Sequence, residues 1–225
     1  MGGTSRVTGW TIAGTVVISL SIGCLIFAHA FPYWQESEKS RDTGVPNIGL
    51  WNICFRKEGI PAPGWITDTL GKRFNRCYYM FERDLRTVRS KWIFKDWFIA
   101  VIFFATLGLI LQPLAIIFNV LYYVRVCSPH LEYFLMAVSS LLNLINGFTV
   151  AIAIFVFGIM ASRDRYWMPQ PESNHLSYSW GVAAVVPVLS FIASMCHTVD
   201  FLRLKSYRDR NARAKIYARG EFARY

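Results

Sequence analysis

The chain has 225 residues, 54% of them hydrophobic and 16% aromatic, and a net charge of +10. So apolar a balance argues against an ordinary soluble domain and for a protein that lives in a membrane. The positive charge does not by itself imply a nucleic-acid partner, because eight of the basic residues follow an apolar window directly, where anionic lipid is the nearer partner.

In chain order, a short amino-terminal arm leads into the first of four apolar windows. These cover residues 10–31, 97–124, 131–161 and 180–202, and each supplies the roughly 20 apolar residues that cross a bilayer core. At about 1.5 Å per residue the third window is longer than the hydrocarbon is thick, so it must tilt or project into solvent. Ala28-His29-Ala30 reads like a signal-peptidase site with Arg6 ahead of it, but the apolar run is longer than a signal core and is expected to stay as a span. Thr11, Thr15, Ser19 and Gly23 recur at four-residue steps along it, a stripe suited to close helix packing.

The loop 32–96 holds twelve basic and eight acidic residues. In it Trp51, Ile53 and Phe55 alternate with Leu50, Asn52 and Cys54, a period of two that predicts a strand, and 74–81 reads the same way. Cys54 and Cys77 are the two cysteines of five that lie outside the windows and their edges, so they are expected to form a disulfide in an oxidising space. Closing a loop of that length stabilises by roughly 3 kcal/mol in the chain-entropy model. Between them Glu58 to Arg73 carries Pro61, Pro63 and three glycines and reads as a turn-rich excursion.

After the second window comes a short link, 125–130. Ser128-Pro129 there reads as a helix start, and Cys127 is a candidate for palmitoylation or, equally, an inert thiol. The third window offers Ser139, Asn143 and Asn146 on one face with Gly147 beside them, expected to hold the helices together. Pro113 and Pro187 are expected to bend their spans. In the loop 162–179, Tyr166, Trp167 and Met168 are candidates for contact with an opposing cell or for an interfacial aromatic belt. The tail 203–225 is basic, as is the link, which places both, and both termini, on the cytoplasmic side and the long loop outside. It is read as an orientation anchor.

Catalytic signatures are not found: there is no Cys-x-x-Cys, His-Glu-x-x-His, Gly-x-Ser-x-Gly or phosphate-binding loop. His29, His130, His175 and His197 lack ligand spacing. His197 and Asp200 share a helix face near a span end, and His130 and Glu132 stand at another, where headgroups or mutual pairing satisfy them. The expectation is no enzyme, no cofactor and no metal.

With four spans, Trp34, then Gly49-Leu50-Trp51, then Cys54 and Cys77 in the first loop, the chain resembles the claudin superfamily, which includes peripheral myelin protein relatives and the gamma-type auxiliary subunits of calcium channels and AMPA receptors. The resemblance implies one domain: a left-handed four-helix transmembrane bundle carrying a small extracellular antiparallel β-sheet from the first and second loops. It also implies that Trp34, Gly49, Leu50 and Trp51 are structural and anchor the sheet at the outer membrane surface. For function it implies a plasma-membrane protein of cell-cell junctions that self-associates in cis and in trans, or with other claudin-like proteins, to form a paracellular barrier or pore. The alternative is an auxiliary subunit of a channel or receptor, to which Leu85-Arg86-Thr87-Val88-Arg89-Ser90 and Ser177-Tyr178-Ser179-Trp180 have some likeness. Twenty-two residues separate the two cysteines, more than in vertebrate claudins. That spacing, Asn52-Ile53-Cys54-Phe55 after the Gly-Leu-Trp and Trp97-Phe98-Ile99-Ala100 look most like the septate-junction claudins of invertebrates. Glu221-Phe222-Ala223-Arg224-Tyr225 departs from the Tyr-Val that claudins offer to PDZ domains.

Overall fold

The computed structural model describes residues 7–38, 44–56, 74–124, 131–168 and 171–222. The turn-rich excursion, Ser128-Pro129, His130 and Cys127 lie outside these residues. Among the described residues four helices are long and apolar enough to cross a membrane: α1 Gly9–Ala30, α2 Asp96–Val124, α3 Glu132–Arg163 and α4 Tyr178–Phe222. The first three begin and end within two residues of the apolar windows. The fourth does not stop at 202. It continues through the basic residues because 203–219 contains neither glycine nor proline and is rich in Arg, Lys and Ala, which favour helix.

Five short strands form one antiparallel sheet: β1 Gln35–Ser37, β2 Asn47–Ile48, β3 Asn52–Cys54, β4 Cys77–Tyr79 and β5 Asn174–Leu176, in the order β4-β3-β2-β1-β5. Within the period-two stretch 50–55, residues 52–54 form a strand, β3, as expected; β2 precedes the stretch. β2 and β3 are a hairpin in which Ile48 faces Ile53 and the Gly49 N–H donates to the Asn52 carbonyl at 2.8 Å. The break falls at Gly49 because the chain turns there against the end of α1. The second loop adds β5 to the edge of β1, with Gln35 facing Leu176.

Backbone contacts divide the chain into two compact units, and every long helix contributes a segment to each. The first unit is Met1–Ser21, Ile110–Gly147 and Val188–Tyr225, and it buries many polar side chains beside two small apolar clusters. Asp200 is buried and its carboxylate accepts hydrogen bonds from the hydroxyls of Thr8 and Thr11, both at 2.5 Å, at the start of α1. His197 does not pair with Asp200 through a hydrogen bond; its Nδ1 is 3.1 Å from Ser139 Oγ, to which Asn119 Nδ2 donates at 2.9 Å. Ser140 Oγ is 2.7 Å from Thr198 Oγ1, Asn146 Nδ2 donates to Ser190 Oγ at 2.8 Å, and Gln112 donates to Ser21. The α3 stripe therefore does join helices, by hydrogen bonds that apolar surroundings cannot replace.

The α1 stripe is only partly used. Thr11 is buried and Thr15 Oγ1 lies 3.0 Å from the Tyr123 hydroxyl, whereas Ser19 is exposed. The close approach in this unit is at Gly14, where a Cβ would stand 2.5 Å from His197 Nε2.

The second unit, Ile22–Leu109 and Phe148–Pro187, carries the sheet. Its core is aromatic and aliphatic, and includes Leu25, Trp34, Ile48, Leu50, Ile53, Phe98, Phe157 and Trp167. For the side chains outside the spans, such as Ile48, Leu50, Ile53 and Trp167, burial from water contributes about 1.5–3 kcal/mol each; for those on the spans, close packing replaces lipid contact instead.

Candidate functional site

The sheet is the part of the molecule built with the most specific chemistry. Cys54 and Cys77 face each other across β3 and β4 and are joined by a disulfide. Behind them Phe55, Phe74 and Tyr78 pack ring to ring at 5.0–5.9 Å, and the Arg76 guanidinium lies 4.4 Å from the Tyr78 ring centre. Arg76 also pairs with Glu82 at 2.6 Å, and that carboxylate holds the guanidinium above its ordinary pKa. Both groups are open to water, so the pair adds little stability.

The Trp34 Nε1–H donates to the Ala28 carbonyl at 2.7 Å, capping one of the orphan carbonyls in the last turn of α1. The same residue's backbone N–H and C=O pair with Ile48 and Ser177, on opposite sides of β1. Its ring meets Phe157 edge-on at 5.0 Å. Trp34 and Leu50 are thus buried in protein; of the tryptophan and Gly-Leu-Trp set, only Trp51 keeps an accessible side chain. Gly49 sits so close to the α1 terminus that a Cβ would stand 2.6 Å from Pro32 Cα and 3.0 Å from the Phe31 carbonyl oxygen.

The second loop separates residues that the sequence treated as equals. Tyr166 is 86% exposed, while Trp167 and Met168 are 1% and 2% exposed. Neither of the latter two can reach an opposing molecule without leaving the core. The Trp167 ring is 4.8 Å from Trp97, 5.2 Å from Phe98 and 5.6 Å from Phe157. Its Nε1–H donates to the Ile93 carbonyl at 3.3 Å, and its own carbonyl accepts from the Trp92 indole. Asp164 completes the knot by accepting from Trp97 Nε1 at 3.2 Å and from the Tyr166 backbone N–H at 3.1 Å. Trp92, Trp97 and Asp164 were not singled out from the sequence as site residues; the clustering of aromatics over 92–98 was the available signal.

This knot ties the second loop to the segment before α2, and β5 ties it to the first loop. Among the described residues the two loops are therefore joined by backbone hydrogen bonds, and the most exposed large side chain of the two is Tyr166. Among the described residues no group of three or more His, Cys, Asp or Glu could hold a metal ion. The arrangement is suited to holding a shape for contact.

The family model described as PMP-22/EMP/MP20/claudin tight junction matches residues 19–199, well over half of the chain. No curated protein matches it closely enough to count as a relative.

Proposed function

The chain belongs to the PMP-22/EMP/MP20/claudin family, and on that premise we propose that it is a junctional protein of the plasma membrane, assembling side by side in one membrane and with copies on the next cell to restrict flow between them. The observation that carries this reading is the single five-stranded sheet drawn from both loops and locked by Cys54–Cys77. A surface fixed in this way loses little conformational entropy when it meets a partner. We assign loops 32–96 and 162–179 to the outside, because a disulfide persists in an oxidising compartment. The link 125–130 and the basic stretch 203–225 then face the cytoplasm, in keeping with the preference of Lys and Arg for that side.

Contact with an opposing copy falls to Tyr166, the exposed member of the three second-loop candidates. The first loop's excess of four positive charges, twelve basic against eight acidic residues, disfavours cations in any path it lines.

Expression in cells that lack junctions tests the reading. Enrichment at cell contacts and strand formation are expected. Even spread over the surface, or recovery with a pore-forming partner in the absence of strands, overturns it in favour of an auxiliary channel subunit. A layer of such cells should pass chloride more readily than sodium; the reverse order removes the charge argument.

A further inference from the structure

Aromatic and basic groups at the rim of the sheet unit form an arrangement that the junctional reading does not use. Trp51, Tyr79 and Phe81 touch pairwise, with ring centres 6.3 Å (Trp51–Tyr79), 5.8 Å (Trp51–Phe81) and 5.6 Å (Tyr79–Phe81) apart. Tyr79 and Phe81 are still 50% and 47% exposed. Beside them the Arg89 guanidinium lies 5.1 Å from the Phe81 ring centre and 5.4 Å from that of Phe94, and Arg89 Nη1–H donates to the Met80 carbonyl at 3.1 Å. A guanidinium carries five N–H donors. One bond to Met80 fixes its position and leaves donors for a second acceptor.

The helices set the level of this rim. Gly49, two residues from Trp51, lies against Phe31 and Pro32 just past the end of α1, and Phe94 stands two residues before α2. Both are span ends, where hydrocarbon gives way to headgroups. Half-exposed rings next to span ends are within reach of lipid headgroups.

The two chemistries select among lipids. An aromatic face carries negative charge density and attracts a quaternary ammonium within about 6 Å of its centre. The guanidinium attracts phosphate and can bind two of its oxygens at once. A purely anionic headgroup would use Arg89 and leave the ring faces idle. A primary ammonium is strongly hydrated and would have to shed that water on the rings.

We propose that this rim binds the phosphocholine headgroup of a membrane phospholipid, with its quaternary ammonium over Tyr79 and Trp51 and its phosphate on Arg89. The site is independent of any junctional role.

The test is lipid retention by the full chain, purified in detergent with an equimolar mixture of dioleoyl phosphatidylcholine, phosphatidylethanolamine and phosphatidylglycerol, and read by mass spectrometry of the intact protein. The wild type should retain phosphatidylcholine over the other two by roughly two- to fivefold, the ratio that one cation–π contact at an exposed site supplies. Retention of the three in equal amounts, or phosphatidylglycerol first, overturns the proposal, whatever the variants do. The double variant Trp51→Leu/Tyr79→Leu keeps apolar bulk and removes the two ring faces assigned to the ammonium, so it should retain phosphatidylcholine and phosphatidylethanolamine equally. Arg89→Gln should lower retention of all three phospholipids. A double variant that keeps its disulfide and still prefers phosphatidylcholine also overturns the proposal.

Discussion

Gly49 is required by space rather than by backbone angle. The atom that an added methyl group would meet at 2.6 Å belongs to the Pro32 backbone, which cannot swing aside. Gly49→Ala should therefore lower stability by about 1–3 kcal/mol, the cost of overpacking, as a drop in the thermal unfolding midpoint in detergent. Gly23→Ala is the contrast: nothing stands within 4 Å of its missing Cβ, so the better helix former should hold or raise that midpoint. A different residue-level dependence holds at Asp200. Its buried carboxylate takes hydrogen bonds from Thr8 and Thr11, and a buried charge that loses its partners is costly. Thr11→Val should cost more in the wild type than in the Asp200→Asn background; equal costs in a double-mutant cycle would mean that the hydroxyl and the carboxylate are not coupled.

Among the elements, the helices were legible because a window of about 20 apolar residues has one fate in a bilayer. The strands were legible in place but not in extent. Ile53 and Phe55 alternate with Leu50 and Cys54, yet all four are buried, so the alternation does not separate core from solvent. It begins after Gly49, where the turn depends on close approach to Pro32, distant in sequence. α4 runs on past 202 because hydropathy marks where a span ends, while helix propensity decides where a helix ends. β3 and β4 are joined by three facing pairs, by the flanking hydrogen bonds from Phe55 N–H to the Arg76 carbonyl and from Met80 N–H to the Trp51 carbonyl, and by the disulfide. Cys54→Ser/Cys77→Ser should lose roughly 3 kcal/mol and expose the sheet to protease; unchanged protease resistance would show that the packed rings of Phe55, Phe74 and Tyr78 suffice.

At the scale of the whole molecule, the second loop gives the clearest separation of folding from contact. Trp167→Ala removes a buried ring with three aromatic neighbours and should cost about 3–5 kcal/mol, reducing the amount of folded protein at the surface. Tyr166→Ala should leave folding and surface level unchanged and weaken adhesion between cells that express the protein. Unchanged adhesion would withdraw Tyr166 as a contact. The sequence by itself determined four membrane spans, a cross-linked loop and membership of a fold class, because hydrophobic length, strand periodicity and cysteine placement are local properties of the chain. Only the tertiary structure decided which aromatics are core and which are surface, and which partners the buried Asp200 and His197 take. Those outcomes depend on contacts between residues distant in sequence, and nothing in the neighbourhood of Trp167 along the chain distinguishes it from Tyr166.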